Sequence, residues 1–238
     1  MAIPSQNPIY CAVDTIDLDH ALALAHSLRG AVGGLKLGLE FFCANGPQGV
    51  RAVMDAADLP IFLDLKLHDI PNTVAGAIRA VLPLNPALIT VHASGGPAMM
   101  EAAAQAAASL GGERPAIVAV SVLTSLDEGD LFNIGVVGDP EEQVIRLAKL
   151  AMDCGMDGLV CAAPEISLVR AAIGPDPILV VPGLRPAGGA MGDQKRVTTP
   201  REAFMRGADV LVIGRPITQA LDPAGAAMDI LSDLGTLD

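Results

Sequence analysis

The sequence has 238 residues, of which 51% are hydrophobic and only 3% aromatic. This length suits a single domain with a large core that is packed by small and branched side chains. A formal net charge of −12 argues against nucleic acid or an anionic membrane as a partner, since both require a basic face on the protein.

Short apolar segments alternate with longer segments rich in Ala and Leu along the whole chain. Eight of the apolar segments are predicted to be strands: Ile9–Val13, Gly34–Leu37, Ile61–Leu65, Leu88–His92, Ala116–Val120, Gly158–Cys161, Ile178–Val181 and Val210–Ile213. Helices are predicted near Asp17–Arg29, Gln48–Ala57, Thr73–Leu82, Pro97–Ser109, Glu141–Asp153, Pro164–Ala172, Pro200–Arg206 and Thr218–Leu231.

This alternation predicts the fold class. Strands that are each followed by a helix imply parallel pairing with helical crossovers, and eight such units close into an α/β fold, the (β/α)8 TIM barrel. We expect one barrel domain over residues 1–238. An open doubly wound sheet is the alternative, although such sheets more often have about five or six strands.

Charged residues are predicted at the carboxyl ends of the first three strands, where the active site of a TIM barrel lies. The first strand leads to Asp14, the second carries Lys36, and the third carries Asp64 and Lys66 on one face. One explanation is a buried salt-bridge network that only holds the barrel end together. Because each buried ion is costly, several charges at one barrel mouth favour a catalytic site.

Three nearby residues also have purely structural explanations. Asp69 lies two residues before Pro71, and an Asp near a helix N-terminus interacts favourably with the helix dipole. His68 and His92 are interpreted as packed or hydrogen-bonded scaffold residues rather than ligands.

The loops after the seventh and eighth predicted strands carry Gly183, Arg185, Gly214 and Arg215. TIM barrels often bind phosphate at these loops, where glycine lets the backbone approach and Arg matches the phosphate oxygens. The pattern predicts a phosphate ester as substrate. Residues 183–199 form the longest irregular segment, which is typical of a functional loop.

The four cysteines, Cys11, Cys43, Cys154 and Cys161, form no C-x-x-C pair and are interpreted as buried, reduced thiols. No apolar run reaches the roughly 20 residues needed to cross a bilayer. The first ten residues lack the apolar core of a secretory signal. These observations predict a cytoplasmic protein without a membrane partner.

Residues 64–73, Asp-Leu-Lys-Leu-His-Asp-Ile-Pro-Asn-Thr, resemble the D-x-K-x-x-D-I-P-x-T signature of the orotidine 5′-phosphate decarboxylase family. Shorter segments in the family's order extend the resemblance over nearly the whole chain: Ala12–Asp14, Leu35–Gly38, Val91–Ala93, Val122–Ser125, Pro182–Pro186, Gly192–Arg196 and Gly214–Arg215. Leu184 departs from the Ile expected there, and this difference is conservative.

The resemblance implies an enzyme without metal or organic cofactor that converts orotidine 5′-monophosphate to UMP in de novo pyrimidine synthesis. It implies four catalytic residues, Lys36, Asp64, Lys66 and Asp69, with Lys66 as the proton donor and Asp69 reaching into the neighbouring site of a homodimer. It implies substrate binding by Asp14, Lys36, Asp64, Thr73 of the neighbour, Thr124, Arg185, Gln194, Gly214 and Arg215. Gln194 would lie on a loop that closes over the phosphate.

Two other functions fit parts of the pattern. Mg²⁺-dependent sugar-phosphate decarboxylases and aldolases also resemble D-x-K-x-x-D, but they would need an acidic metal ligand where this chain has Lys36. A non-catalytic phosphate-binding barrel would have no reason to keep Lys66 buried between two carboxylates.

Overall fold

The structure is a computed structural model that describes residues 7–109, 114–186 and 198–235. Its eight strands form a closed parallel barrel in chain order, in which the last strand pairs with the first. The strands are β1 (Ile9–Ala12), β2 (Gly34–Gly38), β3 (Ile61–Leu67), β4 (Leu88–His92), β5 (Ala116–Val120), β6 (Gly158–Val160), β7 (Ile178–Val181) and β8 (Val210–Ile213). The (β/α)8 prediction is confirmed, and the doubly wound alternative is wrong.

Helices follow the strands and cover the outside of the barrel. They are α1 (Leu18–Ser27), α2 (Leu39–Ala57), α3 (Pro71–Val81), α4 (Pro97–Ala108), α5 (Glu128–Asn133), α6 (Pro140–Asp153), α7 (Ile166–Ile173), α8 (Pro200–Met205), α9 (Arg215–Thr218) and α10 (Pro223–Leu234). Single 3₁₀ turns lie at Leu82–Leu84, Ala93–Gly95 and Ala163–Glu165.

The predicted helices differ from these in three places. The segment before Gln48 is already helical from Leu39, and the predicted start corresponds to a kink at Gly46 with φ of 60°. The short helix α5 was not predicted, because it has six residues and no apolar periodicity; a capping box formed by Asp127 and Asp130 starts it. The single helix predicted from Thr218 is two helices, since Asp222 caps a new one at Gly225 N.

The barrel interior is apolar below its charged mouth. Tyr10 is fully buried there, and a Cβ atom on Gly34 would lie 2.3 Å from the Tyr10 ring, so only glycine leaves room for it. The residues that fill the interior are Tyr10, Ala12, Phe62, Leu88, Ala116, Val118, Val120, Val160, Val180, Val210 and Val212. Because Phe62 faces the interior, Asp64 two residues later faces the same way and stands at the mouth.

Two Arg–Asp pairs lie at the amino-terminal ends of the strands, opposite the mouth. Asp157, just before β6, accepts hydrogen bonds from Arg114 at 2.7 and 2.8 Å and from Ile117 N at 2.8 Å. Asp209, just before β8, accepts from Arg170 Nη2 at 2.5 Å. Each Asp therefore joins two neighbouring strand starts and an arginine.

We expect Asp209→Asn to lower the free energy of unfolding by about 1–3 kcal/mol, because it removes a half-buried ion pair that also holds Leu179 N. Urea denaturation followed by circular dichroism measures the change. The control is Asp229→Asn, which removes the same charge from the exposed side of α10. Equal stability of the two variants would contradict a structural role for Asp209.

Candidate active site

Four charged side chains form an alternating array at the mouth of the barrel. Lys36 Nζ lies 3.1 Å from Asp14 Oδ1 and 3.5 Å from Asp64 Oδ2. Lys66 Nζ lies 2.7 Å from both carboxylate oxygens of Asp64. The Lys36 residue is only 8% exposed, so its charge depends on these partners rather than on water. The array places one carboxylate, that of Asp64, between two ammonium groups.

An irregularity in β3 brings Asp64 and Lys66 together. Leu63 pairs with Ile89 and Leu67 pairs with Val91, so four steps along β3 correspond to two steps along β4. Lys66 has a φ of 48°, which is unusual for a residue with a side chain. In a regular strand two side chains on the same face point side by side, whereas the bulge turns the ammonium back onto the carboxylate.

The Asp64 carboxylate is ionised at neutral pH. Burial acts to raise its pKa, but the charges on Lys36 and Lys66, with hydrogen bonds from Lys66 and Thr90, together hold the pKa below its usual value. A fixed negative charge thus stands beside Lys66 in a site of low dielectric constant, where charge interactions are strong.

A pocket of about 280 Å³ opens beside the array. It is lined by residues from the ends of β1, β2, β3, β7 and β8: Ala12, Asp14, Lys36, Asp64, Pro182, Gly183, Leu184, Arg185, Val212, Gly214, Arg215 and Pro216. The three cationic side chains of the wall, Lys36, Arg185 and Arg215, outnumber its two carboxylates, Asp14 and Asp64. The pocket can therefore hold an anion next to the charged array.

Residues at the start of α3 lie outside this pocket. Asp69 and Thr73 are exposed, and Ile70 between them is 67% exposed. Asp69 Oδ1 accepts a hydrogen bond from Ile70 N at 2.6 Å, whereas the N-cap position of α3 is Ile70, without a side-chain cap. Asp69 therefore lies one residue before the N-cap, near the amino-terminal end of the helix dipole, although its side chain does not cap the helix.

The sequence model described as "Orotidine 5'-phosphate decarboxylase / HUMPS family" matches residues 7–230. The chain belongs to this family. It is 56% identical over 238 residues to an orotidine 5′-phosphate decarboxylase of Rhodospirillum rubrum, with 98% of this chain and 96% of that protein covered. It is 57% identical over 228 residues to one of Sphingopyxis alaskensis, with 96% and 99% covered.

Two solved structures have the same fold as this chain over nearly its whole length. The crystal structure of orotidine 5′-phosphate decarboxylase from Lactobacillus acidophilus has a TM-score of 0.85 and 33% identity, covering 96% of this chain and 99% of that one. An uncharacterised conserved protein from Geobacillus kaustophilus has a TM-score of 0.84 and 32% identity, covering 95% and 100%. Both likenesses extend over nearly the whole barrel of this member of the decarboxylase / HUMPS family.

The structure brings together seven of the residues that the family resemblance implies. Six of them line the pocket, namely Asp14, Lys36, Asp64, Arg185, Gly214 and Arg215, and Lys66 joins them through Asp64. Thr124, in the exposed segment after β5, does not line it. Gln194 lies outside the described residues.

Two residues of the site were not assigned a role from the sequence. Thr90 is fully buried in β4 and binds Asp64, and its signal was a single hydroxyl between the apolar residues Ile89 and Val91. Gly38 follows Lys36 in β2, and a Cβ atom there would lie 3.1 Å from Lys36 Nζ. Any side chain at position 38 would therefore crowd the Lys36 ammonium, and in the sequence Gly38 carried a signal only as the last residue of the segment Leu35–Gly38.

A divalent cation does not suit the array of this family member. Lys36 Nζ already lies between Asp14 and Asp64, where its charge would repel a metal ion. Among the described residues no group of three or more His, Cys, Asp or Glu side chains is arranged to hold a metal.

In the same part of the chain, no helix is long and apolar enough to cross a membrane. All four cysteines are free thiols; Cys11, Cys154 and Cys161 are buried as predicted, whereas the prediction of a buried thiol is wrong for Cys43, which is exposed on α2.

His92, at the end of β4, faces His68 with ring centroids 5.3 Å apart. Burial lowers the pKa of His92, and the charges of His68 and Lys66 lower it further, while Asp64 opposes them. The folded protein thus keeps His92 neutral at a pH where the unfolded chain, with a pKa of 6.5, binds a proton. Stability is therefore lost as the pH falls through 6.5.

We expect His92→Asn to weaken this pH dependence. The Tm of the wild-type protein should fall between pH 7 and pH 5 by more than the Tm of the variant does, because the variant has no group at this site for the unfolded chain to protonate. Calorimetry at half-unit pH intervals measures both curves. His20→Asn, which removes an exposed histidine of α1, is the control. Parallel curves for wild type and His92→Asn would contradict the argument.

Proposed function

We propose that the protein decarboxylates orotidine 5′-monophosphate to UMP and CO2, the last step of de novo pyrimidine nucleotide synthesis. The observation that carries the proposal is the Asp14–Lys36–Asp64–Lys66 array beside a pocket with Arg185 and Arg215. The curated relatives at 56 and 57% identity carry the name of this activity. An array of this kind suits a reaction in which negative charge develops on one carbon atom in the transition state.

The pocket favours an orientation of the nucleotide. The 5′-phosphate would bind Arg185, Arg215 and the backbone of Gly214, with Gln194 contributing from the loop outside the described residues. Asp14 and Lys36 would bind the ribose hydroxyls, and Thr124 would contact the nucleotide from the segment after β5. This leaves the orotate carboxylate at Asp64 and the C6 atom beside Lys66.

The chemistry then follows from the charges. The bond between C6 and the carboxylate breaks, CO2 leaves, and the electron pair stays on C6 in the plane of the ring. The Lys66 ammonium stabilises this charge as it develops and then donates a proton to C6, after which solvent reprotonates the amine. Asp64 repels the substrate carboxylate, and the repulsion disappears as neutral CO2 forms. The balance is one proton taken up for each CO2 released, and no cofactor or metal is needed.

We further propose a homodimer in which Asp69 and Thr73 of one subunit complete the site of the other. Their exposure and their absence from the pocket of their own chain support this arrangement. Asp69 would extend the alternating array beyond Lys66, so that the ammonium has a carboxylate on either side. A biosynthetic step of this kind, together with four free thiols, favours a cytoplasmic location.

The test is to add orotidine 5′-monophosphate to purified protein treated with EDTA and to follow the change in pyrimidine absorbance. Rapid conversion to UMP that EDTA does not affect is the expected result. Absence of turnover would overturn the proposal. Activity on a sugar phosphate that appears only with Mg²⁺ would instead favour the metal-dependent enzymes that share the D-x-K-x-x-D pattern.

A further inference from the structure

The hydroxyl of Thr90 lies at the centre of the irregularity in β3. Thr90 belongs to β4, is 0% exposed, and has the apolar residues Ile89 and Val91 on either side. Its Oγ1 atom accepts a hydrogen bond from the backbone N–H of Lys66 at 2.8 Å. The same Oγ1 lies 3.0 Å from Asp64 Oδ1.

These two contacts fix the direction of the hydroxyl proton. An amide N–H can only donate, so the Thr90 oxygen accepts from Lys66. Asp64 is an ionised acceptor, so the Thr90 O–H donates its proton to Oδ1. The hydroxyl therefore links the main chain of one charged residue to the carboxylate of the other, and each bond polarises the next.

The link acts where the backbone is least regular. Lys66 has a left-handed φ of 48°, which persists only where the surroundings enforce it. The register shift between Leu63 and Leu67 takes this part of β3 out of regular pairing with β4, and the Thr90 side chain supplies an acceptor for the Lys66 N–H. A Val at position 90 would fill the same space without an acceptor.

We propose that Thr90 is a positioning residue that holds Asp64 and Lys66 in one geometry for decarboxylation; this rests on the proposed function. Without the hydroxyl, the Asp64 carboxylate can rotate and the Lys66 backbone can relax from its left-handed conformation. The ammonium then no longer lies at a fixed place beside C6. The phosphate end of the pocket, formed by Arg185 and Arg215, keeps its contacts, so substrate binding changes little.

Two matched pairs of full-length variants test the role of the hydroxyl. Thr90→Val keeps the shape and removes the hydroxyl, whereas Thr90→Ser keeps the hydroxyl and Thr90→Ala differs from Ser only by lacking it. We expect kcat to fall roughly tenfold to a hundredfold in Thr90→Val and Thr90→Ala, while KM and UMP affinity stay within about threefold. Thr90→Ser should retain kcat within about threefold of wild type. If Thr90→Val does not fold, the comparison of Thr90→Ser with Thr90→Ala carries the test.

A wild-type kcat in Thr90→Val, or equal losses of kcat in Thr90→Ser and Thr90→Ala, would overturn the positioning role while the proposed function stands. A higher KM and a lower Tm with an unchanged kcat would also overturn it, because a residue with only a structural role gives that result. Absence of turnover in the wild-type protein would overturn the proposed function itself, which the wild-type assay distinguishes from failure of the Thr90 role.

Discussion

Lys66→Ala is expected to lower kcat by roughly 10⁴-fold or more, because in the proposed mechanism Lys66 is the proton donor and carries the charge that stabilises the carbanion. Asp64 would keep Lys36 at 3.5 Å, so the variant does not leave that carboxylate unpaired. The apolar interior below the mouth contains no atom of Lys66, and the barrel should therefore fold. Steady-state turnover of orotidine 5′-monophosphate measures the loss of kcat, and circular dichroism with UMP binding shows whether the barrel is folded.

The control for Lys66→Ala is Lys149→Ala, which removes the same charge from the exposed side of α6 and should leave kcat unchanged. A Lys66→Ala protein that binds UMP and turns over at the wild-type rate would remove the proton-donor role. A variant that neither binds UMP nor has a barrel-like circular dichroism spectrum would instead identify Lys66 as a structural residue of the mouth.

The barrel was predictable because its cause is local and repeated. Each buried strand is a short apolar run, and each crossover helix has an apolar stripe, so period and alternation determine the class of fold. The helix α5 was not predicted because a capping box starts it and it has no apolar stripe that the sequence pattern could show. The first half of α2 was not predicted to be helical because Gly and Pro, here Gly46 and Pro47, usually end a helix. In this protein they only kink it.

The site was predictable to the extent that strand alternation determines it. The common face of Asp64 and Lys66 and the strand-end position of Arg215 follow from period and topology. The left-handed backbone at Lys66 does not follow, since it depends on an acceptor supplied by Thr90 from a different strand. Such tertiary contacts have no local pattern in the chain, so the sequence indicated which charges meet but not how they are held.

The acidity of the protein does not conflict with an anionic substrate. The net charge of −12 is spread over the whole protein. At physiological ionic strength, salt screens the interaction between exposed charges that lie more than roughly 8 Å apart. The pocket, by contrast, has Lys36, Arg185 and Arg215 in its wall. Close charges in a site of low dielectric constant outweigh distant ones in water. Local composition of the pocket therefore decides which ligand binds.

Mixing two inactive variants is expected to restore activity if Asp69 acts across a dimer interface. In that arrangement Asp69→Ala should lower kcat/KM by roughly 10²-fold or more, since it removes the carboxylate proposed to extend the array beyond Lys66. In a hybrid dimer with Lys66→Ala, one site combines an intact Lys66 with the intact Asp69 of the other subunit. Random pairing then gives about a quarter of the wild-type number of intact sites.

The control is a mixture of Lys66→Ala with Lys36→Ala. Both lysines belong to the array of a single chain, so every site of that hybrid lacks one of them and no activity should return. Co-expression with two different affinity tags isolates the hybrids, and turnover per dimer is then compared. If Asp69 acted within its own chain, the first mixture would also contain no intact site. Recovery in the first mixture alone thus separates a shared site from a self-contained one, because the two arrangements differ in which chain supplies the carboxylate.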